Sequence, residues 1–358
     1  MINTKKTFLS LSILFFSLSI LGAGCFGAST SKKTSPDLGV WKTVDNGKTW
    51  LHKKALVDGP KVTADAGKLS VQDLIIDPQN RLVLYMATKN NGLLYSLDGG
   101  TAWQKFKSLE AKNITSVAVD PKDKCTIYAT SQNKLYQTTT CGRDWLVRYY
   151  HPNIKTKFNA ILIDWFNPTT IYIGTQEGDV LKSADQGENW EMLKQLSAPV
   201  TSLAISKQDS RVIYIGTYGN GLWKSLDGGV TWVQIYKEFN QIRDARRIHQ
   251  VSVDSMDSNI LYLVHRSGIV KTIDQGATWQ SLKLVDKPKR DSIRELAIDP
   301  NNNQRIAYIT YNSIVISNNG GQSWDAKKIP SNNYGSTITF DPKDGKILYL
   351  GITQGGRR

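Results

Sequence analysis

The chain has 358 residues, 40% of them hydrophobic and 9% aromatic, which is enough to bury a sizeable core. Forty-five Lys and Arg against 31 Asp and Glu give a formal net charge of +14, which favours acidic or polyanionic partners. The four His are scattered, and neither a phosphate-binding glycine loop nor a known nucleic-acid module occurs. We therefore predict no metal and no cofactor, and nucleic acid is an unlikely partner.

Residues 1–24 have the features of a targeting segment. Two lysines near the start precede a mainly apolar run from Phe8 to Leu21, which is too short to span a bilayer. The small residues Gly22-Ala23-Gly24 then lead to Cys25, an order that resembles a bacterial lipoprotein signal in which Cys25 becomes the acylated first residue. Ordinary secretion and an uncleaved anchor are the alternatives, because Gly22 holds the place where such signals usually carry Leu.

Residues 25–37 are rich in Ser, Thr and Lys, and we expect them to form a flexible tether. Together with the targeting segment, this predicts an exported lipoprotein. It would be anchored on the outer side of the cytoplasmic membrane, in the periplasm or at the cell surface, and would be monomeric.

A pattern written [ST]-x-D-x-G-x-x-W recurs seven times in the remainder of the chain, residues 38–358. Its Trp residues lie 42 to 53 positions apart, and a regular period of this size indicates a repeat architecture. Two copies lack the Asp, which is replaced by Thr140 in the third copy and Asn319 in the seventh. The signature residues are Asp45, Trp50, Asp98, Trp103, Trp145, Asp185, Trp190, Asp227, Trp232, Asp274, Trp279 and Trp324.

Each copy, called a box below, lies between two short apolar runs, which predicts a hairpin turn. The Asp carboxylate can accept hydrogen bonds from backbone amides of its own turn, with support from the Ser or Thr hydroxyl. The Gly tolerates positive φ, and the Trp offers a large apolar face for packing. Seven copies indicate a structural role rather than catalysis, since a reaction needs one site.

The box resembles that of the Asp-box (BNR-repeat) β-propellers: sialidases, sortilin-type receptors, xyloglucan-cleaving glycosidases and photosystem II stability/assembly factors. The resemblance implies an all-β fold of four-stranded blades. Six complete blades can be counted between residues 71 and 328, and two strands follow at 337–353 without a box. Residues 40–50 supply the missing third strand, box and start of the fourth strand. We therefore predict a seven-bladed β-propeller closed by pairing of the C-terminal strands with the N-terminal strands.

Cys125 and Cys141 form a candidate disulfide in an oxidising compartment. Cys125 opens the second strand of its blade and Cys141 lies in the turn that ends the third, and neighbouring antiparallel strands bring such positions together. The bridge would lie in the third box, where Thr140 replaces the Asp. Two buried free thiols are the alternative.

The segments that run from each box to the next inner strand are strongly basic, with 22 Lys and Arg against 9 Asp and Glu. They lie on the face opposite the boxes, which is where this class of propeller usually binds ligands. We predict a binding face for an anionic envelope polymer or an acidic protein, against the alternative of a basic, solvated surface. Its densest cluster is Lys237, Arg243, Arg246, Arg247, Lys287, Lys289, Arg290 and Arg294.

These features favour a non-catalytic binding or assembly-scaffold module. The alternative is a glycoside hydrolase, sialidase-like or xyloglucanase-like, with an unrecognised carboxylate site. No motif identifies the two facing carboxyl groups that such chemistry needs, so no catalytic residue is assigned. Asp244 and Asp291 are the acids to test, although both are expected to pair with neighbouring Arg.

Overall fold

Short runs of β-branched and aromatic residues alternate with turns containing Gly and Asp, and each run forms a strand. The computed structural model describes residues 37–235, 242, 244–285 and 293–355. Its strands are arranged in seven sheets of four antiparallel strands, one of which is extended to six.

The strands fall into four sets by their position in a blade. The inner strands are β5 (Val71–Ile76), β9 (Ser116–Val119), β13 (Phe158–Ile163), β17 (Val200–Ile205), β21 (Ile248–Val253), β25 (Glu295–Ile298) and β29 (Tyr334–Phe340). The second strands are β6 (Leu84–Thr88), β10 (Ile127–Ser131), β14 (Ile171–Thr175), β18 (Ile213–Thr217), β22 (Leu261–His265), β26 (Ile306–Ile309) and β30 (Leu348–Thr353).

The third strands are β1 (Gly39–Thr43), β7 (Leu93–Ser96), β11 (Lys134–Thr138), β15 (Asp179–Ser183), β19 (Leu222–Ser225), β23 (Gly268–Thr272) and β27 (Ser313–Ser317). The outer strands are β2 (Leu51–Lys53), β8 (Ala102–Lys105), β12 (Leu146–Tyr150), β16 (Glu191–Gln195), β20 (Val233–Ile235), β24 (Gln280–Ser281) and β28 (Asp325–Lys328). Blades are numbered from the one that begins with β5, so the blade that begins with β29 is the seventh.

The seventh blade closes the ring, as predicted. Its sheet has the order β2-β1-β30-β29, in which Val40 pairs with Gly351 and Trp41 with Leu350. Each inner strand contacts the inner strand of the next blade, and β29 contacts β5. The seven-bladed propeller is therefore confirmed, together with its closure by the two ends of the repeat region.

The segment 51–70 departs from the prediction, because it is more than an outer strand and a connection. It contains a hairpin of β3 (Ala55–Asp58) and β4 (Lys61–Asp65), followed by the 3-10 turn Ala66–Lys68. β3 pairs in parallel with β8 and so extends the first blade to six strands. The alternating apolar residues on either side of a Gly-Pro turn are the hairpin signal that the repeat-based interpretation passed over.

The core lies between adjacent blades. The second strands of the second to fifth blades are buried at every position, and each box Trp packs against a cluster formed with a neighbouring blade. The box Gly leaves room for the preceding blade. A Cβ at Gly142, which has φ +84°, would overlap the ring of Phe106, and one at Gly229 would lie 2.7 Å from Leu193.

All seven boxes are tied to the turn between the first and second strands of the same blade. The amide of the residue after the Asp position donates to a carbonyl of that turn, as from Gly99 to Leu82 and from Gly228 to Arg211. In the second blade the amide of Cys141 donates to the carbonyl of Cys125, and a disulfide joins the two side chains. The boxes and these turns therefore share one face of the ring, the box face.

Candidate functional site at the mouth of the central channel

The box carboxylates accept hydrogen bonds from their own turns. Asp227 accepts hydrogen bonds from the Ser225 hydroxyl, the Thr231 hydroxyl and the Thr231 amide. These bonds lower the pKa of Asp227 to about 2, and similar bonds lower those of Asp185 and Asp274 to about 2. Strongly hydrogen-bonded, fully ionised groups of this kind hold a turn and are poor proton donors at neutral pH.

A cavity of about 470 Å³ lies at the opposite end of the ring. Its lining includes residues at the start of five inner strands, among them Val71, Thr115 and His249. Inner strands of five blades meet only around the central axis, so this cavity is the mouth of the central channel. It opens on the face that carries the predicted basic connections.

Two arginines and two tyrosines give the mouth its chemistry. Arg294 directly precedes β25, and its guanidinium lies 5.0 Å from the ring centroid of Tyr311. Arg266 lies in the β22–β23 turn, and Tyr218 directly follows β18. Within the described residues neither guanidinium forms an ion pair, so both can bind an anionic group.

His249 adds a buried polar atom to the mouth. Its ring packs edge-on against Tyr218 at a centroid distance of 5.6 Å, and its Nε2 is buried without a hydrogen bond to any described residue. Burial lowers the pKa of His249, and the charges of Arg294 and Arg266 lower it further. At neutral pH the imidazole is therefore uncharged and can accept or donate one hydrogen bond to a ligand.

The structure brings part of the predicted basic cluster to this mouth. Arg246 and Arg247 are exposed in the connection that leads to β21, and Arg294 lines the cavity itself. The carbonyl of Arg246 accepts hydrogen bonds from the amides of Gly219 and Gly221, and the backbone of Arg247 forms an isolated antiparallel β-bridge with Tyr218. This connection is therefore fixed to the β18–β19 loop. The other predicted members, Lys237, Arg243, Lys287, Lys289 and Arg290, lie outside the described residues.

Asp244 forms an ion pair with Arg247 at 3.3 Å, as the sequence suggested for it. Asp291 lies outside the described residues. The sequence interpretation missed Arg266, although its place in a second-to-third-strand loop assigns it to the same face. It also missed the tyrosines, because nothing in their local sequence distinguishes them from the many tyrosines of the strands.

Two carboxylates lie one residue further along the inner strands that surround the channel, on Asp73 of β5, after Gln72, and on Glu295 of β25, after Arg294. Each bonds the next blade: Asp73 accepts from the Val117 amide at 3.0 Å, and Glu295 accepts from the Ile338 amide at 3.0 Å. By accessible surface both residues are half-buried, and the carboxyl end of each lies against the inner strand of the next blade. Burial raises the pKa of Asp73 and raises that of Glu295 to about 8.

The channel therefore contains an acid that keeps its proton at neutral pH, close enough to Asp73 for the charge of Asp73 to contribute to its raised pKa. This pair was not identified from the sequence, because an isolated Asp and an isolated Glu 222 positions apart give no signal. Among the described residues no three His, Cys, Asp or Glu are grouped to hold a metal ion. No helix in the same part of the chain is both long and apolar enough to cross a membrane.

Comparison with known proteins agrees with the propeller class. A family model described as Sortilin, neurotensin receptor 3 (Sortilin-Vps10) matches residues 220–326. The GH74 xyloglucanase from Xanthomonas campestris superposes with a TM-score of 0.67 at 16% identity, covering 80% of this chain and 51% of that one. A comparison with curated proteins finds no match.

Smaller propellers are similar over nearly their whole length. YCF48 bound to D1 peptide has a TM-score of 0.60 and 16% identity, covering 81% of this chain and 94% of that one. YCF48 from Cyanidioschyzon merolae has a TM-score of 0.60 and 13% identity, covering 79% and 95%. The predicted resemblance to sortilin-type, xyloglucanase and photosystem II assembly-factor propellers is thus confirmed. This chain spans about half the length of the GH74 enzymes, and identities of this size show the fold alone.

Proposed function

We propose that this protein is a non-catalytic, exported β-propeller that binds an acidic segment of a partner protein, or an anionic envelope polymer, at the channel mouth. It would serve as a binding or assembly-scaffold module. The observation that carries the proposal is the cavity with Arg266, Arg294 and the uncharged His249, on a face with an excess of basic residues.

The chemistry of the mouth suits carboxylates. A guanidinium binds a carboxylate through two parallel hydrogen bonds, and the adjacent tyrosine rings accommodate the apolar part of a side chain. A cavity of about 470 Å³ is of the size that encloses a small ligand or a few side chains. The structure of YCF48 with a D1 peptide shows that a propeller of this shape accommodates a peptide, which supports a protein partner in general.

The test is binding of polyglutamate and of polygalacturonate to the double variant Arg266→Glu/Arg294→Glu. We expect binding of the native protein to weaken as salt is raised, and the variant to lose it. The matched control is Lys48→Glu/Lys343→Glu, which makes the same change in net charge with two exposed lysines of the box face. Equal losses in both variants, or binding unaffected by salt, would refute a site at the mouth. The two polymers distinguish the protein-type from the polysaccharide-type ligand.

Export and anchoring through Cys25 complete the proposal, supported by the order of charged, apolar and small residues before that Cys. Metabolic labelling with a palmitate analogue, followed by membrane fractionation of Cys25→Ser, tests them. We expect label and membrane association in the native chain and neither in the variant. Unlabelled native protein in the membrane fraction would instead indicate the uncleaved anchor.

A second candidate function, glycoside hydrolysis, is favoured by one observation only. Glu295, with a pKa raised to about 8, lies in the channel near Asp73 and so combines a proton donor with a carboxylate. Against it, each carboxyl group already accepts a hydrogen bond from a backbone amide of the next blade. Turnover of chromogenic glycosides that disappears in Glu295→Gln and in Asp73→Asn, with binding of polyglutamate intact, would establish the hydrolase.

A further inference from the structure

A second cavity, of about 500 Å³, lies away from the channel mouth and shares no lining residue with it. It is bounded by β12 of the second blade, by β15 and β16 of the third, and by the connection 151–156. Its polar and aromatic lining residues include Tyr149, His151, Thr156, Glu177, Asp179 and Trp190.

The centre of this cavity is a buried aspartate that is only half satisfied. Asp179 is 4% exposed, and its Oδ2 lies 3.2 Å from His151 Nε2 and accepts from the Thr175 hydroxyl at 3.4 Å. His151 Nδ1 accepts from the Asn153 amide, so Nε2 carries the proton and donates it to Asp179. The other carboxylate oxygen, Asp179 Oδ1, is buried without a hydrogen-bond partner among the described residues.

A second buried oxygen in the same cavity also lacks a partner. Thr156 is fully buried, and its hydroxyl makes no hydrogen bond to any residue that the structure describes. The connection that carries it is fixed, because both backbone groups of His151 bond to Asn133 in the β10–β11 turn. An unsatisfied buried polar group is unfavourable by about 1–3 kcal/mol, and more when charged, so a ligand that donates to both oxygens would be favoured.

The remaining lining selects for positive charge. Glu177 and Glu191 are exposed at the cavity and add two carboxylates, whereas none of the described lining residues is Lys or Arg. The rings of Tyr149 and Trp190 lie 5.1 Å apart and supply aromatic faces, which attract cations. Burial raises the pKa of Tyr149, and the charge of Asp179 raises it further.

We propose that this cavity binds a primary ammonium group, whose N–H donors would reach Asp179 Oδ1, the Thr156 hydroxyl and the Glu177 carboxylate. The ammonium could come from a lysine side chain of a partner or from an amino sugar, since both present the same donors. A metal ion is a poorer match, because both ring nitrogens of His151 are already hydrogen-bonded.

The probes are cadaverine, which carries the amine of a lysine side chain, and glucosamine. Pentane-1,5-diol controls for the charge, and choline controls for the N–H donors. Calorimetric titration of the native protein should show binding of cadaverine or glucosamine, with the diol and choline at least tenfold weaker. The tighter of the two amines identifies the source. Binding of neither amine at millimolar concentration, or equal binding of choline, would overturn the proposal.

Thr156→Val and Glu177→Gln test the contacts, because the first is nearly isosteric and the second changes an exposed side chain. Each should weaken amine binding about three- to tenfold, the effect expected for one hydrogen bond or one carboxylate. Glu110→Gln, an exposed acid outside the cavity, should leave it unchanged. Arg266→Glu/Arg294→Glu should also retain amine binding, which separates this site from the proposed mouth site. Amine binding unaffected by Thr156→Val and Glu177→Gln would place the ligand elsewhere.

Discussion

At the box face each signature carboxylate accepts hydrogen bonds within its own turn. Asp227, for example, accepts one from Ser225 and two from Thr231. At the mouth, by contrast, His249 Nε2 and the Ser336 hydroxyl are buried without a hydrogen-bond partner in the described part of the chain. The box face repeats seven times, whereas the mouth residues differ from blade to blade. The contrast separates the box carboxylates, whose hydrogen bonds hold their turns, from mouth groups that no described residue satisfies.

Basic residues show the same contrast. A lysine directly precedes the box Ser or Thr in three blades, at Lys42, Lys182 and Lys224. Each ammonium group lies near the ring of a tyrosine of the second strand and donates a hydrogen bond to a box carbonyl of the next blade. Their charges are part of the contacts between blades. Arg266 and Arg294 lie at the mouth without an ion pair among the described residues. Part of the net charge of +14 is thus structural, and we expect the mouth arginines to contribute most to the binding of anions.

The sharpest test of the contrast replaces one side chain at the box face and one at the mouth by Ala. Trp103 is fully buried and its indole N–H donates to the Lys53 carbonyl, so Trp103→Ala should lower the free energy of unfolding by about 3–5 kcal/mol. Arg294→Ala removes an exposed side chain and should change it by about 0.5 kcal/mol or less. Urea unfolding measures both. Similar losses in the two variants would remove the distinction between a scaffold end and a binding end.

Removing the disulfide tests whether this covalent bond replaces the carboxylate that is missing from the third box. Cys125→Ser/Cys141→Ser should lower the free energy of unfolding by about 3 kcal/mol, the value expected for a loop of this length. A thiol count on unreduced, denatured protein that begins at residue 38 should find none. Two titratable thiols would instead support the alternative of buried free cysteines.

The ring was predictable from the sequence because its chemistry is local and repeated. The Asp, Gly and Trp of each box determine one turn, and the partial repeats at 40–50 and 337–353 can only complete each other. The β3–β4 hairpin was missed because it occurs once and belongs to no repeat. The mouth and the side cavity depend on residues brought together from several blades, such as Arg266 with Arg294, and no spacing in the chain encodes that proximity.

Opposite pH dependences should distinguish the box carboxylates from the channel carboxylate. The folded-state pKa values of Asp185, Asp227 and Asp274 are lowered to about 2, so their contribution is present above about pH 4 and lost as the pH falls towards 2. The pKa of Glu295 is raised to about 8, so the folded state holds a proton that the unfolded chain releases near pH 4.5. Its contribution is present below about pH 4.5 and lost as the pH rises through 8.

Urea unfolding between about pH 3 and pH 9 measures how the free energy of unfolding falls at acid pH and at alkaline pH. Asp227→Asn/Asp274→Asn should reduce the loss of stability at acid pH and leave the loss at alkaline pH unchanged. Glu295→Gln should reduce the loss at alkaline pH and leave the loss at acid pH unchanged. The asparagine replacement is a gentle one, because Asn319 in the seventh box already accepts from the Ser323 amide in the same geometry. If Glu295→Gln still loses stability as the pH rises through 8, another group titrates in that range.

The smallest expected effect concerns the pair of Asp244 and Arg247 at the mouth. An exposed ion pair of this kind contributes about 0–1 kcal/mol, so Asp244→Asn should change the free energy of unfolding by less than about 0.5 kcal/mol. The same change removes a negative charge beside Arg247, so polyglutamate binding should become tighter at low salt and lose the difference at high salt. Glycoside turnover that is abolished by Asp244→Asn would contradict this expectation, since it would make Asp244 part of a catalytic site.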